Sequence, residues 1–504
     1  MRRTHFNVLI VGGGAAGCVL ANRLSEDERT GVGLVEAGPD YGMFDVERWP
    51  AELLDARSAA RGHDWNPGPS CCARARVIGG SSAHNGCWAM LGAPADYDAW
   101  AAYSGGSWDH AALRPYLRRA MSRLRVRPVA PADRTAWHEA VIEAARALGL
   151  PYLEDVNAEH EREGVGWVPL NAVGGTRWHT AFAYLDPARD RPNLQVVARS
   201  LAVRLEFAGD RATGLVVAGE DGERLLTADT VILCCGTYGN PPLLMRSGVG
   251  PEAVLRRLGA PVLHPREGVG ENLVDHSSLG LVLDPLESLH AAIPDAAESY
   301  FAQTVIKACS SVARDAFWDI HIVPSAAPAE DAQGYYNGPL TAGFYVNVMA
   351  PDARGSVRAG SLDPEEAPVI EHGFFTDAGG HDRQVVLDGI DLAHELARSA
   401  SLAGLAGLTP WPAERREKAS VLADANGYWH PVGTCAMGPE DDPLAVADER
   451  GRVHGLENVH VGDASLMPVI PRANTHLTTV AVADRLGDLL APSVSGARGR
   501  SEVR

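Results

Sequence analysis

The glycines of Gly12-x-Gly14-x-x-Gly17 have the spacing of a loop that lets a pyrophosphate approach a helix N-terminus. There the free N–H groups and the helix dipole favour an anion. Glu36 follows Gly17 by 19 residues, where a carboxylate would accept hydrogen bonds from a ribose; an acid rather than a base at this position disfavours a 2′-phosphate. The 18 histidines offer a second kind of chemistry, because an imidazole can take and return a proton near neutral pH. His430, in Tyr428-Trp429-His430-Pro431-Val432-Gly433-Thr434, is one such group, although a His-Pro pair alone does not identify a base. The eight cysteines contain no C-x-x-C pair, so no metal is expected, and they read as plain thiols.

These groups need elements to hold them. The apolar run Phe6-Asn-Val-Leu-Ile-Val11 predicts a strand, Cys18 to Leu24 a helix, and Val32 to Val35 a second strand ending at Glu36. This is a βαβ unit with the glycine loop in its first turn. Residues 186–193, rich in Asp, Arg and Pro, read as a connector. Alternation at 194–207 and 213–218 predicts a β-meander, and Thr230 to Cys234 a buried strand. Strand-like runs recur around Ile320–Val323 and Phe344–Met349, and a helical pattern around 382–400. Val459–Val461 leads through Gly462-Asp463 into a helix near 478–490, so the last segment is expected to complete the domain that the first begins.

At 504 residues the chain is expected to form two interleaved or tandem domains. A net charge of −19 argues against nucleic acid as a partner. No apolar run reaches the roughly 18–20 residues of a membrane span, and Met1-Arg2-Arg3 runs almost directly into the first strand. A cytoplasmic location is the expectation.

Five segments, in order, resemble the glucose–methanol–choline (GMC) family of FAD oxidoreductases. They are Arg74-Ala-Arg76-Val-Ile-Gly79-Gly80-Ser81-Ser82-Ala-His84-Asn85; Gly236 to Gly250; Val269-Gly270-Glu-Asn272-Leu-Val-Asp275-His276; Tyr428 to Thr434; and Val461-Gly462-Asp463-Ala464-Ser465-Leu-Met467-Pro468. Within the family, His84-Asn85-Gly86-Cys87-Trp-Ala and Phe375-Thr376-Asp377-x-x-Gly380-His381-Asp382 are similar to the choline oxidase branch. Asn240 stands where the family has Ser or Thr, and Ala89 and Leu91 where it has Tyr and Arg.

The resemblance implies an α/β fold. A discontinuous Rossmann-type FAD-binding domain (1–140, 198–276 and 431–495) would carry an interleaved α+β substrate-binding domain (141–197 and 277–430), with 496–504 a disordered tail. FAD would lie against Gly12, Gly14, Gly17, Glu36, Ala37, Arg76, Gly79, Gly80, Ser82, His84, Asn85, Val203, Asp463 and Ala464. His84 matches the residue that carries FAD covalently in the choline oxidase branch. His430 would take the alcohol's proton as its carbon gives a hydride to the flavin N5, yielding an aldehyde or ketone, and Asn474 would hold the oxygen; His476 competes for that second position. Trp49 and Glu298 resemble the branch's aromatic and acidic contacts to a quaternary ammonium, which suggests a choline-like or amino-alcohol substrate. Tyr428, in place of a small aliphatic residue, would line the same pocket. Gly86 replaces a pocket Ser, and Gln333 stands in the region of a second pocket His.

O₂ or another acceptor would take the electrons, and a homodimer is one option for assembly. Two rivals stay open. A non-redox hydroxynitrile lyase would keep FAD and base on this scaffold. A NAD-dependent dehydrogenase would use the glycine loop alone.

Overall fold

The computed structural model describes residues 3–57, 62–65, 72–160, 162–293, 299–330, 336–408 and 422–495. The expectations for Cys71, Glu298, Gln333 and the tail 496–504 fall outside these residues.

β1 (His5–Val11) is buried at every position after His5, as a central strand covered on both faces requires. Each of its large apolar side chains contributes about 1.5–3 kcal/mol by leaving water. β1 pairs in parallel with β2 (Val32–Val35) on one side and with Gly222–Leu233 on the other. β2 pairs in turn with Leu194–Val197, and Gly222–Leu233 with Val459–Val461. The strands Leu201–Ala208, Arg211–Gly219 and Gly222–Leu233 form the expected antiparallel meander at the sheet's other edge. Helix α1 (Ala15–Leu24) buries most of its surface, and the helix Thr475–Ser495 packs on it. The two ends of the chain thus build one layer.

Leu194–Val197 is a departure. The segment 141–197 was expected in the second domain, but its last strand belongs to the first sheet. The helix Ala136–Ala147 straddles the expected boundary at 140/141, and its first turn, expected in the first domain, packs with the rest of it against the second sheet. An apolar run states that a strand is buried, not which sheet buries it.

The second sheet is antiparallel, in the order Ala406–Leu408, Ser277–Pro285, Tyr336–Val348, Ile320–Glu330, Thr304–Ala308, Gly164–Trp167. Alternation along its strands serves two faces. Ile320 and Ile322 pack with Val385, Val386 and Ile390 of the helix His381–Ala397, whereas Val323 packs with Trp88, Val305 and Ala302 on the cavity side.

Candidate active site

One cavity of about 720 Å³ runs from the glycine loop to His430. At the loop end, Gly12 has φ +105°, and a Cβ there would lie 2.3 Å from the carbonyl oxygen of Cys234. Gly17 passes so close to the Gly12 carbonyl that only hydrogen fits. Gly14 differs: a Cβ there would come no nearer to a neighbour than 3.8 Å, from Gly80 Cα. Bareness at Gly14 therefore keeps the cavity open at the N-terminus of α1, the room a pyrophosphate needs. Glu36 accepts from Gly13 N at 2.8 Å through Oε2 and from Gly38 N at 2.7 Å through Oε1. Burial pushes its carboxyl up to about 7 against those hydrogen bonds. Each oxygen retains a lone pair for a ribose hydroxyl.

Asp463 ties the C-terminal segment to this end. Its Oδ2 accepts from Gly236 N at 2.7 Å and Asn240 Nδ2 at 2.9 Å, and its Oδ1 from Ser465 N and Oγ. Asn240, the family departure, also accepts from Cys235 N at 2.9 Å and donates to Ser465 Oγ at 2.9 Å, and so ties together the two strand-end loops that follow Gly222–Leu233 and Val459–Val461. Ala37, Gly80, Ser82, His84, Asn85 and Ala464 line the same cavity. The donors, the cradle and the carboxylates suit a dinucleotide such as FAD.

Three expected contacts are placed elsewhere. Arg76 does not line the cavity and pairs at 2.8 Å with Glu365, which does. Val203 is buried in its strand and its carbonyl accepts from Arg246 Nε at 3.1 Å, while Leu201 and Ala202 face the cavity. Trp49 is a correction of more consequence. Its ring is 3% exposed, packs 4.8 Å from Phe182 and 4.9 Å from His179, and donates to the carbonyls of Gly42 and Met43. It is a core aromatic and does not line this cavity. Gly17 and Gly79 shape the backbone from behind the wall; a side chain at Gly79 would strike His179.

At the other end, His430 follows a backbone ladder. Val432 and Val274 exchange both hydrogen bonds, Tyr428 N donates to His276 O at 2.9 Å, and His430 N donates to Asp275 Oδ1 at 2.9 Å. Trp429, just before the base, takes φ +61°, a conformation that non-glycine residues rarely adopt. His430 Nδ1 lies 3.0 Å from His276 Nδ1, and His430 Nε2 lies 3.1 Å from Asn474 Nδ2. Burial first, then His276 and Arg74, hold His430 well below the usual imidazole range, so it is neutral. Asn474, not His476, reaches it; the His476 ring lines the cavity without a hydrogen bond among the described residues.

Asn474 stands just before the helix Thr475–Ser495, on a loop braced by Arg472. That guanidinium pairs with Asp315 at 2.7 Å and with buried Asp96 at 3.3 Å. Among the described residues, Asn474 Oδ1 and the Tyr428 hydroxyl are buried and neighbour each other without closing a full hydrogen bond. Such atoms cost about 1–3 kcal/mol unless a ligand meets them. Trp88, Tyr300, Phe301 and Val323 wall the same end. None of these four was picked from the sequence as a site residue, whereas Tyr428 and Asn474 were. Asp275 and His276 lay in a recognised segment, but nothing local signals that they meet His430.

The family described as GMC oxidoreductase matches residues 6–278 with its N-terminal profile and 351–483 with its C-terminal profile. The chain is 34% identical to an uncharacterised GMC-type oxidoreductase of Rhodococcus erythropolis, over 96% of this chain and 98% of that protein. It is 33% identical to an oxygen-dependent choline dehydrogenase of Serratia proteamaculans (strain 568), over 96% and 95%. Among solved structures it is similar to pyridoxine 4-oxidase from Mesorbium loti, with a TM-score of 0.83, 27% identity and coverage of 96% and 99%. Formate oxidase shares the fold at a TM-score of 0.84 and 23% identity, over 98% and 99%.

Proposed function

The chain belongs to the GMC family, FAD oxidoreductases that act on alcohol-like substrates, and we propose that it oxidises an alcohol carbon with His430 as the base. When bound, FAD supplies the acceptor for the hydride that leaves that carbon. The observation that carries this reading is the pairing of His430 Nε2 with Asn474 Nδ2 at 3.1 Å, at a cavity wall that the Tyr428 side chain shares. A substrate hydroxyl at this wall gives its proton to Nε2. The Asn474 amide donates to the oxygen that remains and holds it against rotation. The aromatic lining excludes water from the reacting carbon.

His84 is the attachment point proposed for FAD. It lies on the cavity wall, 91% buried from solvent, with Nδ1 3.9 Å from Asp64 Oδ1. Acid precipitation checks the bond: a yellow pellet supports it, and a colourless pellet under yellow supernatant excludes it.

For the substrate we propose an alcohol with a choline-like or amino head group. The aromatic side chains of Trp88, Tyr300, Phe301 and Tyr428 line the cavity, and such rings suit a cation; relatives are named choline dehydrogenases. Anaerobic mixing with a panel of alcohols, with and without a quaternary ammonium group, tests both parts. Bleaching of the flavin absorbance by the cationic members supports the reading. Preference for neutral alcohols removes the head-group assignment. Turnover of a cyanohydrin with the flavin still oxidised would replace the whole reading by a lyase.

A further inference from the structure

The reaction above leaves His276 without a task. It is completely buried and does not line the cavity. Its ring meets His430 edge-on, with centroids 5.2 Å apart and planes at 83°. Two Nδ1 atoms at 3.0 Å share one proton, so one ring donates and the other accepts.

The other ends of the pair set the direction. Asn474 Nδ2 faces His430 Nε2, and an amide N–H can only donate, so Nε2 holds a lone pair. Neutral imidazole carries a single N–H, which places the His430 proton on Nδ1. His276 Nδ1 is then the acceptor and its proton sits on Nε2. The backbone carbonyls of Pro471 and Met349 favour a proton on the His276 ring, although neither closes a hydrogen bond to Nε2 among the described residues. Burial pushes His276 down to about 3, so it meets His430 as a neutral acceptor.

We propose that His276 is the positioning residue of the base: its Nδ1 lone pair keeps His430 in the Nδ1–H tautomer, with the Nε2 lone pair turned to the substrate. This rests on the reading of His430 as the base. In the step itself the alcohol O–H bond breaks and an N–H bond forms at His430 Nε2, while the carbon's hydride leaves for FAD. No bond to His276 changes. The hydrogen bond it accepts becomes charge-assisted once His430 is a cation, which roughly doubles its strength. That gain offsets the burial that otherwise makes His430 a reluctant proton acceptor. The same ladder sets both rings, because Asp275 binds the His430 backbone and His276 the Tyr428 backbone.

The test compares holoenzymes of the wild type, His276→Leu, His276→Asn and His430→Ala by flavin content, saturating rate of flavin reduction and KM. Asn can place Oδ1 where the acceptor nitrogen was; Leu cannot. The expected result is a loss of about 100-fold or more in rate for His276→Leu, with KM within about threefold, and recovery of about tenfold or more in His276→Asn. A flavin-loaded His276→Leu within about threefold of wild type overturns the proposal, as does equal loss in the Leu and Asn variants. If His430→Ala is slow while His276→Leu is fast, only the tautomer role fails; if His430→Ala is fast, the base reading fails. Should His276→Leu not hold flavin, neutron diffraction on the wild type decides. Deuterium on His430 Nδ1 and His276 Nε2 supports the role, and deuterium on His430 Nε2 overturns it.

Discussion

An imidazole stripped of water is a neutral imidazole, and neutrality is what a base needs. Because burial, His276 and Arg74 hold the His430 pKa well below the ordinary value, protonation does not disable it in mild acid. The limiting rate of flavin reduction should stay flat as the pH falls from about 8 through about 6.5 and decline only below that. A stopped-flow pH profile checks this, and a midpoint at or above the ordinary histidine value contradicts it. Tyr428→Phe removes a buried hydroxyl whose contact with Asn474 falls short of a closed hydrogen bond among the described residues. Without substrate the variant should melt at the same or a higher temperature, while kcat/KM falls about tenfold, the cost of one lost hydrogen bond. At this scale the sequence reading was uneven. His430 and Asn474 sit in motifs of their own and meet across 44 residues. Trp49 did not reach the pocket, because an aromatic residue beside a short match packs as readily into a core. His276 lies 154 residues from its partner, and no local pattern encodes that contact.

Elements position these groups through backbone approaches that only certain residues allow. The Gly14 cradle is one such approach. Gly14 has ordinary φ −74°, so a side chain there strains nothing and simply occupies the phosphate site. Gly14→Val should therefore fold with unchanged circular dichroism yet bind flavin about tenfold or more weaker, since a Cβ bars the close approach; full flavin retention would contradict the cradle. The β1–α1–β2 unit was readable because its pattern is local and its strands are short and buried. So was the strand Val459–Val461, whose pairing with Gly222–Leu233 closes the sheet from the far end of the chain. The strand Leu194–Val197 was visible as a strand but not as a partner of β2, about 160 residues upstream, so the domain boundary near it was misplaced.

Across the whole molecule, burial acts on many histidines at once. His138, His179, His276, His321, His372, His430, His460 and His476 all have pKa values pressed below the ordinary range. The unfolded chain protonates these groups near pH 6.5 and the native chain does not. Below that pH the unfolded state binds more protons, and stability falls by up to about 1.4 kcal/mol per proton and pH unit. Glu36 and Asp96, pushed up to about 7 and about 6, and Asp186, Asp382, Asp463 and Asp484, also raised by burial, act in the opposite sense but are fewer than these rings. The melting temperature should thus drop as pH is lowered from about 7 to about 5, and a rise over that range would contradict the burial of these rings. No helix among the described residues is long and apolar enough to cross a membrane. The architecture brings the first and last segments together around one cavity and sets His430 at the far end from the glycine loop. Whether His430 takes the alcohol proton there is decided by anaerobic single-turnover flavin reduction, run on wild type and His430→Asn with an alcohol and its carbinol-deuterated form. Rapid bleaching with a primary isotope effect is expected in the wild type and a rate about 10²–10⁴-fold lower in the variant; bleaching at equal rates in both proteins would show that His430 is not the base.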